Sequence, residues 1–446
     1  MRAQALVVAS LLPLAVACEQ PAPAPAAIGQ LVVWLDTDAP LPTATPPGPM
    51  DPAPLFDRVR VDLLPLDGTT CDCTREFDVT TDSMNAGVSF GVVPSSPSGA
   101  TLRVRLFRAA VTLDGEPAPD STIDYSVAVP PIAEGTVADA TVALATGDVG
   151  VPVGADTPLA LVPGKPGPSH VGTWPGAERV DCAAPPPDGE VCVPGGAYWM
   201  GDPSATGWTS VLTGAQRLVV LSPFTIDSTE VTIATLRAAG LAADASWSGS
   251  MGTASLDYCT FSTTQGGPTD GLPVTCIDWN KARAYCRAKG KDLPTEAEFE
   301  FASGGGHGNP FSWGVDPPTC TEAVFSRWPG VAPDCLDSAV DTMHGGPAPP
   351  GSGSRDVLAL PTGKVFDLAG NVEEWMRDDW STDGGSCWSS PGVYNNPVCS
   401  AGGADASARG GSWGATGGLL RAGLRDYGGK TQSVNFVGFR CARDAQ

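Results

Sequence analysis

From residue 28 to about 162 the chain has no lysine and no long helical pattern, so this stretch has only short strands from which to build a core. Its apolar runs are brief: Leu31 to Leu35, Val59 to Leu64, Val88 to Val93, Leu102 to Phe107 and Ala140 to Ala145. Arg58-Val59-Arg60-Val61-Asp62-Leu63 and Arg103-Val104-Arg105-Leu106 alternate polar with apolar residues, the period of half-buried strands. Pro, Gly, Asp and Ser punctuate them. The pattern predicts an all-β sandwich of antiparallel strands over 28–162, with the Pro-rich loop Ala39 to Pro54 exposed.

Residues 163–188 read as a Pro/Gly linker, from Pro163-Gly164-Lys165-Pro166 to Pro185-Pro186-Pro187; such a stretch is expected to be extended and to build no core. No repeat of fixed period is present. Helical signals begin in the second unit, 189–446. The segment Ile233 to Ala243 is helical in pattern. Asp278 caps Trp279 to Lys289, with Ala282, Tyr285 and Cys286 on one face and Gly290 as the stop. Thr295 and Glu298 form a capping box for Glu296 to Ala302.

The N-terminus is a short basic start followed by the apolar run Leu6 to Val16, about half of what a membrane span needs. Small residues then lead to Cys18. This reads as a signal peptide over 1–17, with Cys18 as the lipidated first residue of a bacterial lipoprotein and 18–27 as its tether. Plain cleavage at Ala17, with Cys18 incidental, is the alternative. The expected location is the bacterial cell envelope, at the outer membrane, with the lipid anchor as the contact to the membrane. A formal charge of -23 and the lack of any basic run argue against nucleic acid as a partner. Setting Cys18 aside from the 13 cysteines leaves 12, an even number that suits disulfides in an exported chain. Proximity in sequence suggests Cys182–Cys192 and Cys387–Cys399, then Cys259–Cys276 and Cys320–Cys335. Cys71 and Cys73 remain, as a local disulfide or a soft-metal pair.

Between Val191 and Arg443 a series of short motifs runs in order. They are Val193-Pro194-Gly195-Gly196, Phe224 to Thr232, Asp278-Trp279, Ala284-Tyr285-Cys286, Leu293-Pro294-Thr295-Glu296-Ala297-Glu298, Asp367 to Trp375, Arg409-Gly410-Gly411-Ser412-Trp413 and Gly438-Phe439-Arg440-Cys441. Together they resemble the formylglycine-generating enzyme family, the sulfatase-modifying factors. The resemblance implies an α+β, C-type-lectin-like fold for 189–446 and a disulfide between Cys286 and Cys441. It also places a calcium site on Asp367, Gly370, Val372 and Glu374, with main-chain oxygens from the middle two; the plainer alternative is that Asn371 and Glu374 only stabilise a turn. A second family calcium site needs an Asn where Ala323-Val324-Phe325 stands, and that Asn is absent.

The family's oxidase uses two cysteines between the Gly-Gly-Ser and Gly-Phe-Arg segments, and no cysteine lies between Ser412 and Arg440 here. Copper is therefore not expected, since soft metals select sulfur ligands. His170, His307 and His344 share no motif and read as solvated loop residues. Ser412 has no recognisable base partner. Trp413, Arg421 and Arg425 are candidates for a ligand groove, with Trp388 and Tyr394 as further aromatic walls; Arg421, Arg425 and Asp426 could take an anionic ligand there, with a structural ion pair as the alternative. The expectation is a non-catalytic module on a surface lipoprotein that binds a peptide or glycan or serves the envelope's structure. The alternative is a sulfatase-modifying oxidase or a divergent oxidoreductase on the same fold.

Overall fold

A computed structural model describes residues 29–66, 73–93, 99–204, 216–240, 259–260, 269–328, 330–336, 345–382 and 384–445. The chain is mostly β with few helices. The signal, Cys18 and its tether, Cys71 and His344 lie outside the described residues.

In the first unit, strands Gln30–Thr37, Arg58–Pro65, Ser89–Val92, Ala100–Phe107 and Val137–Leu144 fall on the five apolar runs. One sheet orders Val162–Pro163, Val137–Leu144, Gln30–Thr37 and Ser89–Val92. The other orders Leu159–Ala160, Ile123–Val129, Ala100–Phe107, Arg58–Pro65 and Thr74–Asp78. Both sheets feed one core, with Val33, Leu35 and Val142 from the first and Val59, Leu102, Val104 and Ile123 from the second. The antiparallel expectation needs correction in two places. In the second sheet Leu159–Ala160 runs parallel to Ile123–Val129. In the first, Gln30–Thr37 runs parallel to Val137–Leu144 along its whole length. Between them the chain crosses to build the other sheet, and such a crossover returns a strand in its starting direction. The short helix Thr81–Ala86 is an addition; its sequence signals are the Thr80/Ser83 capping box and the Gly87 stop.

The Pro/Gly segment 163–188 is not a free spacer. It lies back along the first unit. Gly172 and Trp174 donate to the carbonyls of Ala39 and Asp38, at 3.1 and 2.9 Å, and the His170 ring meets Asp36 at 2.5 Å. Ala177 joins the same core as Leu55 and Phe56, and so do Ala197, Trp199 and Leu218 of the second unit. Trp199 Nε1 donates to the Leu55 carbonyl at 2.6 Å, and its ring packs edge-on against Phe56. His307 is also not simply solvated: its ring nitrogens meet the carbonyls of Gly305 and Asp51 at 2.8 and 3.1 Å, and burial lowers its pKa. The two units thus share buried apolar surface, which couples them more tightly than a linker would.

In the second unit the helices start where their caps are. Thr232 caps Ile233–Ala238, Asp278 caps Trp279–Ala288, and the Thr295/Glu298 box caps Glu296–Ser303. The first helix stops five residues short of the expected Ala243, and 241–243 lie outside the described residues. Small sheets surround the helices: Glu190–Val193 with Phe224–Asp227 and Ala442–Asp444, Gly196–Met200 with Arg217–Leu221 and Tyr394–Asn395, and Asp426–Gly429, Asp405–Arg409, Glu373–Asp379 and Val437–Gly438 in that order. Disulfides Cys182–Cys192, Cys259–Cys276, Cys286–Cys441, Cys320–Cys335 and Cys387–Cys399 pair as expected. Cys286–Cys441 ties the Trp279–Ala288 helix to the last strand, across 155 residues.

One buried ion network fastens the Glu296–Ser303 helix to the sheet. Arg425 Nε and Nη2 reach Glu296 at 2.7 and 2.8 Å. Arg409 Nε reaches Glu296 at 3.1 Å and its Nη1 reaches Glu300 at 2.8 Å. Ser407 Oγ donates to Glu296 at 2.6 Å. Burial by itself would raise the Glu296 carboxyl, but Arg425 and Arg409 outweigh it and hold it at about 2. Because this folded pKa lies below the unfolded value of ~4.3, its stabilisation is complete above that value and is lost as pH falls through about 2. Glu296→Gln should destabilise the full chain by about 3–5 kcal/mol in urea unfolding at neutral pH, since removing one partner strands buried guanidinium charge. A loss below about 1 kcal/mol, the range of an exposed pair, would refute this account.

Candidate functional site

The Asp405–Arg409 strand ends in two glycines that turn the chain sharply. Gly410 and Gly411 have φ of +95° and +68°. A Cβ on Gly411 would lie 2.6 Å from the Leu419 carbonyl oxygen, so a side chain there is barred by contact as well as by backbone conformation. The turn sets Trp413 with its main chain fixed on both sides: its N donates to the Asn371 carbonyl and its O accepts from Arg327 N, both at 2.8 Å.

Beside this turn is a cavity of about 410 Å³. Its walls come from the Gly410–Ala415 turn, the Leu419 and Leu424–Asp426 segment, Trp328, Glu373 and Asn435–Phe436. Trp328 stacks on Trp413 with ring centroids 5.3 Å apart. Trp413 is fully buried, whereas Trp328 and Phe436 are 38% and 37% exposed and stand at the rim. Glu373 is 6% exposed. Burial, reinforced by Asp426, pushes its pKa well up.

Of the three groove residues expected from sequence, Trp413 and Arg425 line this cavity and Arg421 does not. Arg421 is engaged with Asp202 and Ser204. The Arg425 charge is taken up by Glu296, and its guanidinium lies over the Trp380 ring at 4.5 Å. Trp388 and Tyr394 pack against each other outside the lining. Ser412 lines the cavity. Sequence reasoning missed Glu373, Trp328 and Phe436. The signal for Glu373 was present: side chains alternate along a strand, so Glu373 and Glu374 must face opposite ways.

Glu374 does so. It forms a bidentate pair with Arg440, at 2.7–2.9 Å, both side chains being fully buried. Arg440 Nη2 also donates to the carbonyls of Phe366 and Asp367 at 2.8 and 3.0 Å. Although burial opposes it, Glu374 raises the Arg440 pKa. Glu230, Asp356 and Asp367 surround this pair and are all buried. Burial lifts Asp356 to about 8 and Asp367 to about 6. Asp367 Oδ2 accepts from Gly351 N at 2.5 Å. Glu230 accepts from Asn371 Nδ2 through Oε1, and it lies beside the Asp367 carboxyl. Four carboxyl groups thus face one guanidinium, and oxygen donors of this kind suit a hard cation. Among the described residues, however, no three His, Cys, Asp or Glu side chains are gathered as a metal cage. A site on Asp367 and Glu374 would need main-chain oxygens, as expected for Gly370 and Val372. Asn371, at φ +56°, also holds the turn by accepting from Ala348 N at 2.8 Å.

The sulfatase-modifying factor enzyme 1-like domain model matches residues 178–445. The formylglycine-generating enzyme of Streptomyces coelicolor is 31% identical over 298 residues, covering 58% of this chain and 90% of that protein. The inactive C-alpha-formylglycine-generating enzyme 2 of Bos taurus is 38% identical over 125 residues, covering 26% of this chain and 37% of that protein. The structure of PvdO from Pseudomonas aeruginosa superposes with a TM-score of 0.43 at 23% identity, over 57% of this chain and 94% of that one. With the match spanning well over half of its length, this chain belongs to the formylglycine-generating enzyme (sulfatase-modifying factor) family.

Proposed function

We propose that this chain is a non-catalytic member of its family, a ligand-binding domain carried on an exported, membrane-anchored lipoprotein. The observation that carries this reading is the sulfur-free interval from Ser412 to Arg440. Where the family's oxidase places two thiols, the cavity wall has Gly414, Ala415, Leu419 and Leu424. A soft copper ion has no soft ligand there, and a substrate thiol has no partner thiol. The Bos taurus relative, named as inactive, is a precedent within the family. An aromatic rim over an apolar cavity with a few polar groups suits recognition of a small ligand or a peptide side chain. The first unit is read as a β-sandwich that carries a C-type-lectin-like domain.

The test is oxidation of a sulfatase-type cysteine peptide with oxygen and supplied copper, followed by mass spectrometry. No conversion is expected beside an active family enzyme. Formylglycine in the product would overturn the reading and establish the oxidase alternative, which the Streptomyces coelicolor relative favours. For the anchor, Cys18→Ser should release the protein from the envelope membrane into the soluble fraction; a variant that stays membrane-bound would end the lipoprotein reading.

Calcium would be held by Asp367 and Glu374 with main-chain oxygens of Gly370 and Val372. There it would supply charge that the buried carboxylates otherwise lack. The excess of four carboxyl groups over one guanidinium supports it. Chelation should lower the thermal midpoint of the full chain, and calcium should restore it. A midpoint indifferent to chelator would remove calcium from the account.

A further inference from the structure

We propose that the cavity beside the Gly-Gly-Ser-Trp turn takes a protonated alkyl amine, with its ammonium on the Glu373 carboxylate and its stem between Trp328, Phe436 and the apolar wall. The inference rests on the reading of this cavity as a binding site and names the chemistry it selects.

The lining charges decide the sign of the ligand. Among the described lining residues Arg425 is the one cation, and Glu296 already neutralises it within the core. The remaining charged groups are Glu373 and Asp426, both acids. Glu373 is more than nine-tenths buried, and no described residue donates a hydrogen bond to its side chain. A carboxyl buried without a donor is costly to charge, by far more than a neutral group in the same place, and a cation beside it offsets that cost. An N–H donor entering the cavity would remove that cost. Asp426, exposed at the rim, adds attraction for a cation and repulsion for an anion. Trp328 and Phe436 add aromatic faces, which attract cations. Ala415, Leu419 and Leu424 complete an apolar wall that suits a methylene stem. Two acids are too few ligands for a metal ion in place of the amine.

The amine has two possible sources, a free polyamine or the lysine side chain of a peptide. Calorimetric titration of the full-length protein would use cadaverine, a blocked lysyl peptide, its norleucine counterpart and glutarate at fixed ionic strength. Either amine or both should bind, and glutarate and the norleucine peptide should not; cadaverine alone points to a free amine, the lysyl peptide alone to a protein partner. Glu373→Gln should weaken binding by about 10- to 100-fold, the range for a lost charge-assisted hydrogen bond, and Asp426→Asn by less. Both variants must keep the wild-type thermal midpoint, and Asp426→Asn serves as the test if Glu373→Gln does not fold. Amine binding equal in wild type and variants overturns the proposal, as does failure of both amines to bind. If glutarate or the norleucine peptide binds instead and Ala415→Trp abolishes it, the cavity remains a binding site and only the amine assignment falls.

Discussion

Glu296 has both carboxylate oxygens out of water between two guanidiniums, and a charge in that place is tolerable only while its partners stay. The motif Leu293-Pro294-Thr295-Glu296-Ala297-Glu298 therefore does two jobs. Thr295 and Glu298 start the helix, and Glu296 fixes where the helix lies. Arg409 then carries the constraint to the strand that ends in Gly410-Gly411, and its Nη1 also donates to the carbonyls of Ala422 and Leu424 at 3.1 and 3.2 Å. Arg425 carries it to the cavity wall. Glu300 closes the frame by accepting from Gly201 N at 2.5 Å, which ties in the Gly196–Met200 strand. That strand holds Trp199 against the first unit, so the same network reaches the junction between the units.

The strand Glu373–Asp379 divides what this frame encloses. Alternation sends Glu373 to the cavity and Glu374 to Arg440. Asp378, on the Glu374 side, accepts from Glu296 N at 2.9 Å and from Cys399 N at 2.7 Å. Burial, with Glu296 beside it, raises Asp378 to about 7. Three of the four acids on this strand thus have three fates, set by neighbours rather than by residue type. Glu374 is compensated by a guanidinium, Asp378 by backbone donors, and Glu373 by nothing that the described chain provides.

Much of the frame was legible in the sequence because it is local. Caps at Asp278 and Thr295 act within three residues, and the strand period of the first unit is read over five or six. The four short disulfide loops follow from spacing. Cys286–Cys441 did not follow from spacing; only the ordered family motifs implied it. What stayed hidden depends on distant pairing. The parallel register of Gln30–Thr37 and Val137–Leu144 is a property of the crossover, not of either strand. The Pro/Gly segment looked like a spacer because its composition builds no core alone, yet Trp174 and Ala177 add to one that others build. For the site, the Gly-Gly-Ser-Trp turn was visible, but the partners of Arg421 and Arg425 lie up to 219 residues away and could not be assigned.

The cavity beside the Gly-Gly-Ser-Trp turn keeps its walls although the interval from Ser412 to Arg440 holds no cysteine. The walls of the cavity are held from behind: Trp413 by main-chain bonds to Asn371 and Arg327, and Arg425 by Glu296. None of these depends on sulfur in the interval. Small residues at 414 and 415 leave space that a rigid frame cannot fill by relaxation, since close-packed surroundings yield little. The polar groups left in the lining, Ser412, Asn435, Glu373 and Asp426, are oxygen and amide donors and acceptors. Such groups recognise by hydrogen bonding and charge, not by soft-metal coordination. On the reading proposed above, a frame held in this way positions a ligand, and the acid in its wall, Glu373, would set which ligand that is.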